Sequence, residues 1–195
     1  MMELNPKDTN IQRCLSMHHV SQKHPAESVH YSLQEMALGH LMVRIPETNT
    51  DAIKAIKSVI GLDLPTQPLS SVENNHFVIN WIAPDEFLIL TADKTEHALE
   101  AKLREEMSGH FAIVDVSGGQ TVLSLSGERA ENILKKSSTY DVHISNFPIG
   151  KVVTTVFAKS QLVMRRTGAD SFQLVVRRSF SDYIWQWIVD AGSRS

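Results

Sequence analysis

Four histidines, His18, His19, His24 and His30, crowd the start of the chain beside its single cysteine, Cys14. Imidazole and thiolate are the donor set of a zinc site. The spacing contains neither a CxxC pair nor an HExxH helix, and ligands on an irregular segment need hydrogen-bonded support. The cluster therefore reads as a solvated or partner-docked arm, and no metal ligand is assigned. Cys14 as a nucleophile would need an electropositive site to lower its pKa, which Arg13 alone does not make. Asp85, Glu86, Asp115 and Asp170 have the chemistry of general bases. Asp85 and Asp170 fall at turns, where aspartate bonds to nearby backbone, and Asp115 ends a strand before a glycine turn. Two arginine pairs, Arg165-Arg166 and Arg177-Arg178, close C-terminal strands, and alternation puts one member of each pair on an exposed face. They could grip a carboxylate or phosphate bidentately, or guard sheet edges and meet another protein. We read them in the second way. Gly118-Gly119 lies between two strands, so it presents no helix N-terminus to a phosphate and reads as a turn. No catalytic or cofactor-binding residue is assigned.

The elements that would position these groups begin near residue 39. Residues 1–38 show little periodicity and read as an irregular arm that wraps its own body or docks on a partner. His40–Ile45 reads as a strand, and Thr50 as the cap of a helix over Asp51–Ile60 that Gly61 ends. A loop with Pro65 and Pro68 follows. His76–Ala83 and Phe87–Thr91 read as a hairpin turning at Pro84-Asp85. A helix over Lys94–Met107 and a strand over Phe111–Val116 complete a first half, residues 39–117. The pattern restarts in residues 118–195: strand Gln120–Leu125, helix Glu128–Lys136, strands Lys151–Ala158, Gln161–Arg166 and Ser171–Arg177, and a helix over Ser179–Asp190. On that last helix Phe180, Tyr183, Ile184, Trp187 and Ile188 form the apolar stripe. Trp185 lies off it, either at the edge of the core or as an exposed anchor of the kind enriched in interfaces. Asp85-Glu-Phe87 in the first half matches Asp170-Ser-Phe172 in the second. The fold expected is α+β: two related βαββα-like halves with antiparallel sheets and helices on one face of each.

Composition narrows the function classes. The 195 residues are 42% hydrophobic and 21% charged, with a formal net charge of −3. That is an ordinary globular balance. It argues against a nucleic-acid partner, whose phosphates call for excess Lys and Arg. No apolar run approaches the ~20 residues of a membrane span, and no secretory leader is visible. The expectation is a cytoplasmic protein.

The stretches WIAPDEFLIL (81–90), VDVSGGQTVLSLSGERAENILKK (114–136), NFPIGK (146–151) and RTGADSFQLVVRRSFSDYIWQWIVDAG (166–192) resemble the gamma subunits of heterotetrameric sarcosine oxidase. LQEMALGHLMVR (33–44) and GLDLPTQP (61–68) fit as well. The resemblance runs from about residue 33 to the end. It implies a fold similar to part of the folate-binding aminomethyltransferase, or glycine-cleavage T-protein, group. It implies an accessory chain bound to alpha, beta and delta subunits, with no catalytic residue or cofactor of its own. The complex would demethylate sarcosine oxidatively to glycine, passing the one-carbon unit to tetrahydrofolate or releasing formaldehyde. FAD, FMN, NAD, zinc and tetrahydrofolate would reside on the other subunits. Met17, Met36, Leu38 and Trp185 are the expected partner contacts. The alternative from another class is a free-standing folate-binding aminomethyltransferase-like protein.

Overall fold

The computed structural model describes residues 28–92 and 95–193. In chain order these form β1 (Ser32–Met36), β2 (Gly39–Arg44), α1 (Thr50–Ile60), β3 (Ser71–Glu73), β4 (Phe77–Ala83), β5 (Glu86–Thr91), α2 (Glu96–Glu106) and β6 (Ala112–Asp115). Then come β7 (Gln120–Ser126), α3 (Ala130–Lys135), β8 (Val152–Phe157), β9 (Ser160–Gly168), β10 (Ser171–Arg177) and α4 (Ser181–Ser193). The strands make two antiparallel five-stranded sheets, β3-β4-β5-β2-β6 and β8-β9-β10-β7-β1.

Written in that direction, the two sheets correspond strand for strand. Each half runs strand, strand, helix, three strands, helix, and each lends its first strand to the other half's sheet. β1 pairs with β7, Leu33 opposite Leu125, while β6 pairs with β2, Ile113 opposite Val43. The matched aspartates of the sequence are structurally equivalent. The carbonyl of Asp85 accepts from Ile45 N–H at 2.9 Å, just past β2, and that of Asp170 accepts from Gly127 N–H at 3.0 Å, just past β7. A division between residues 117 and 118 falls in the link from β6 in one sheet to β7 in the other.

Period-2 alternation sorts each strand between two cores. In β5, Phe87 and Ile89 face α1 and α2, whose Ile56, Ile60, Leu99 and Leu103 complete that cluster. Leu88 and Leu90 face the opposite way and meet Val122 and Val175 of the second sheet. In β10, Phe172, Leu174 and Val176 face α3 and α4. The sheets thus pack face to face, with helices on the outer faces. At one end Ser70 bridges Lys151, and Val152 N–H donates to Leu69 carbonyl at 2.9 Å. Leu69 takes a left-handed φ of 62° there, an unfavourable conformation for a branched side chain.

Several expectations change. Ser32–Met36, read as part of an irregular arm, is an edge strand, and Ser71–Glu73, read as loop, is another. Both are short and partly polar, and what makes them strands is the partner ladder. The first helix is capped by Asn49, whose Oδ1 accepts from Ala52 N–H at 3.1 Å, and not by Thr50. Gly61 ends it in the left-handed conformation, as expected. On α4 the buried positions are Ser181, Ile184, Trp185, Ile188, Ala191 and Gly192. Two overlapping stripes share Ile184 and Ile188, and the small residues decide between them. Gly192 lets Tyr31 approach so closely that a Cβ would sit 2.5 Å from its ring. Trp185 is therefore core at 3% exposure, while Trp187 is 39% exposed and its indole N–H donates to Ser137 Oγ at 2.6 Å. Among the described residues, no helix is long and apolar enough to cross a membrane.

Arg166 is not a surface residue but a fully buried core cation. Its guanidinium lies 4.5 Å from the Phe172 ring centroid. It donates to Glu131 Oε2 at 2.6 Å, to Val142 carbonyl at 2.7 Å and to Ala169 carbonyl. Burial raises the Glu131 pKa, but hydrogen bonds and charge from Lys135 and Arg166 outweigh it and hold the group below its ordinary 4.5. A lowered native pKa stabilises the fold above the unfolded value and loses that contribution as pH falls through the native one.

Two predictions follow from these contacts. Glu131→Ala leaves a buried guanidinium without its counter-charge and costs about 3–5 kcal/mol. It also flattens the fall in stability below the ordinary carboxylate range. Lys135→Ala removes only the more exposed partner and costs less than about 1 kcal/mol. Denaturant melts from neutral pH down to acid measure both, and equal costs would contradict the assignment. At Gly127, φ is +113° and a Cβ would lie 2.5 Å from the His30 carbonyl, two residues before β1, whereas a Cβ on Gly118 meets nothing within 4 Å. Gly127→Ala should cost at least about 1–3 kcal/mol, and Gly118→Ala within about 0.5 kcal/mol of nothing.

Candidate functional site

Alternation along β9 sends Arg166 to the helix side and Arg165 to the space between the sheets. Arg165 is also buried, so neither member of this pair guards an edge. Its Nε donates to Ser71 Oγ at 2.7 Å, and its Nη2 lies 2.8 Å from Glu73 Oε2. Ser71 Oγ in turn donates to Gly150 carbonyl at 2.7 Å. One guanidinium thus bolts β3 of the first sheet to β9 of the second.

Gln173 sits opposite Arg165 on β10, and Ser124 opposite Gln173 on β7. These polar side chains cross the inner face of the second sheet as a row. Beside them opens a cavity of about 340 Å³, walled by Met36, Leu38, Phe77, Val78 and Leu90 and rimmed by Glu73, Asn74 and His76. Met36 and Leu38, two of the expected contact residues, therefore meet in one place. Met36 is 36% exposed, and Gln173 Nε2 lies 3.7 Å from its sulfur. Gln173 is buried, and its Oε1 has no hydrogen-bond partner among the described residues.

A second polar group holds the two crossover links together. Asp115 Oδ1 accepts from the amide and hydroxyl of Ser117 at 2.9 and 2.5 Å, and Ser117 Oγ accepts from His40 N–H at 2.8 Å. His97 Nδ1 lies 3.6 Å from Asp115 Oδ2. Glu96 joins them, with donor atoms of the three residues within 4.8 Å of one another. Two carboxylates and an imidazole suit a divalent cation. One carboxylate oxygen of this set is already committed to Ser117, and the buried Glu96 packs against Gly39, where a Cβ would fall 2.3 Å from Oε2. The group's evident work is tying β1–β2 to β6–β7.

The remaining candidates are dispersed. Asp85 pairs with Arg44 at 3.2 Å and, like Asp170, lends its backbone to a turn. Arg177 and Arg178 are exposed. His30 Nδ1 is 2.5 Å from Glu128 Oε1. Cys14, Met17, His18, His19 and His24 lie outside the described residues. Sequence reasoning missed Gln173 and Glu73. The available signal was a glutamine amid the apolar run FQLVV, where every neighbour is buried.

A family model described as "Sarcosine oxidase, gamma subunit family" matches residues 26–194. The sarcosine oxidase subunit gamma of Corynebacterium sp. (strain P-1) is 33% identical over 144 residues, 71% of this chain and 68% of that one. A chain of the heterotetrameric sarcosine oxidase from Corynebacterium sp. U-96, solved with pyrrole 2-carboxylate, superposes with a TM-score of 0.86 at 26% identity. The match covers 93% of this chain and 95% of that one. The glycine cleavage system aminomethyltransferase T from Bartonella henselae shares the fold, with a TM-score of 0.64 at 11% identity over 90% of this chain and 56% of that one. A family model that spans residues 26–194, and a relative 33% identical over 71% of this chain, lead to one assignment: this chain belongs to the sarcosine oxidase gamma subunit family.

Proposed function

We propose that this chain is the accessory gamma subunit of a heterotetrameric sarcosine oxidase, gripped by alpha, beta and delta subunits on which the chemistry takes place. The observation that carries the reading is the end-to-end match to a chain of a solved heterotetramer. In this reading the complex demethylates sarcosine oxidatively to glycine. The one-carbon unit passes to tetrahydrofolate or leaves as formaldehyde. FAD, FMN, NAD, zinc and tetrahydrofolate sit on the other subunits, and the complex is cytoplasmic.

The engagement of this chain's own polar groups supports an architectural role. Arg165 and Arg166 hold sheets and core together, Asp115 ties the crossovers, and the matched aspartates close turns. Met17, Met36 and Leu38 are the proposed partner contacts. Trp185 is withdrawn from that set because its ring is spent inside the core. Phe180, in the turn just before α4, and Trp187, on α4, are 41% and 39% exposed and available to a neighbour.

Co-expression with alpha, beta and delta subunits tests the reading by size-exclusion chromatography and sarcosine turnover. The chain should co-elute with all three and show no turnover alone. Elution as a separate species, or turnover by the single purified chain, would overturn it. Deleting residues 1–27, which leaves β1 in place, should weaken recovery of the other subunits. Unchanged recovery would remove the arm and Met17 from the contact.

A further inference from the structure

Among the described residues, β1 has a strand beside it on one side only, where it meets β7. The neighbouring ladder fixes which of its backbone groups face the other way. Gly127 N–H donates to Asp170 carbonyl at 3.0 Å and Arg178 N–H to Gly119 carbonyl at 2.9 Å, so the odd-numbered residues of β7 bond toward β10. Alternation then turns Val122, Ser124 and Ser126 toward β1, where they stand opposite Met36, Gln34 and Ser32. The backbone groups of Tyr31 and Leu33 therefore point outward. Those of Tyr31 are taken by Ser28: the Tyr31 carbonyl accepts from Ser28 N–H at 2.9 Å, and Tyr31 N–H donates to Ser28 Oγ at 3.1 Å. This exchange closes a two-residue reversal at Val29-His30 and starts an antiparallel ladder on the outer edge of β1. The next outward position is Leu33, and the residue that the register sets opposite it is Ala26.

We propose that residues 23–27 dock on the outer edge of β1 as a sixth strand of the second sheet, with Ala26 and Leu33 exchanging both backbone hydrogen bonds. The residue types suit that register. Ala26 falls beside Leu33 on the face that packs against the helices, where a small apolar side chain fits. Pro25 falls opposite Gln34, at a pair whose N–H would face solvent, so its missing donor costs no ladder bond. There it also blunts the new edge against further pairing. His24 falls opposite Glu35, an imidazole against a carboxylate. The added strand runs from the Tyr31 end of β1 to its Met36 end. The chain that leads back to Met17 therefore leaves the body beside Met36 and Leu38, and the three contact residues of the accessory-subunit reading converge on one side. Only that convergence rests on the reading; the ladder does not.

Amide hydrogen exchange of the full chain, read residue by residue by NMR, tests the strand. Leu33 N–H should exchange about tenfold or more slowly than in a chain lacking residues 1–27, the effect of one backbone hydrogen bond. Gln34 N–H, which faces β7, should be the same in both. Ala26→Pro in the full chain removes a donor that faces β1 and should reproduce the faster exchange at Leu33. Glu27→Pro removes a donor that faces away and should not. These two variants decide the matter if the shortened chain does not fold. Unprotected Leu33 in the full chain, equal acceleration of Leu33 and Gln34, or equal effects of the two prolines would each overturn the proposal. Protection of Leu33 that arises only on adding the alpha, beta and delta subunits would overturn it too, by making the added strand a partner's. None of these outcomes touches the accessory role, which co-elution with those subunits measures separately.

Discussion

Reciprocal exchange of one strand per half is the constraint on which the rest of this structure depends. β1 cannot pair with β7 unless the chain crosses from one sheet to the other within Ala37 and Leu38, and β6 crosses back through residues 116–119. Each sheet then carries an edge strand covalently tied to its neighbour. Opening the interface between the sheets would mean peeling β1 from β7 or β6 from β2. The apolar contact that closes it is small, with Leu88, Leu90, Val122 and Val175 at its centre. The ladder hydrogen bonds and the Arg165 bolt to Ser71 and Glu73 add to it. Hydrophobic burial holds each half together, and connectivity holds the halves to one another.

That arrangement bears on function through the polar groups it consumes. Side chains whose chemistry could have served a reaction are mostly occupied in holding the two halves in register. Asp115 and Ser117 bind the crossovers, Arg165 spans the sheets, and Arg166 lies under α3 with Glu131. The inter-sheet cavity is the exception, since it brings apolar side chains and a polar rim together at the surface. A body whose polar groups are spent on its own interlock is in keeping with membership of a subunit family.

Much of the fold was legible in the residues because periodicity is a local property. Helices at Thr50–Ile60 and Glu96–Glu106 and the hairpin Phe77–Thr91 announce themselves through apolar spacing, Gly61 and the Pro84-Asp85 turn. The duplication was legible too, through two aspartates whose carbonyls prove to make equivalent bonds. What escaped was set by partners distant in sequence. SLQEM and SVE are strands only because β7 and β4 stand beside them. Trp185 and Trp187 exchange places because Gly192 and Tyr31 choose which side of α4 packs. The two arginines look like edge residues in sequence because burial of adjacent charges requires counter-groups, here Glu131 and Glu73, that lie far away along the chain. The cavity was the least visible feature: its residues come from seven strands and the links beside them, and only Gln173 among the apolar residues of β10 hinted at it.

The interlock itself can be measured by native-state hydrogen exchange of the chain across a denaturant series. If the exchanged strands make one cooperative body, the slowest amides of β2 in the first sheet and β7 in the second will converge on a single opening free energy equal to that of global unfolding. Two separate isotherms, with one sheet opening while the other stays protected, would contradict the account.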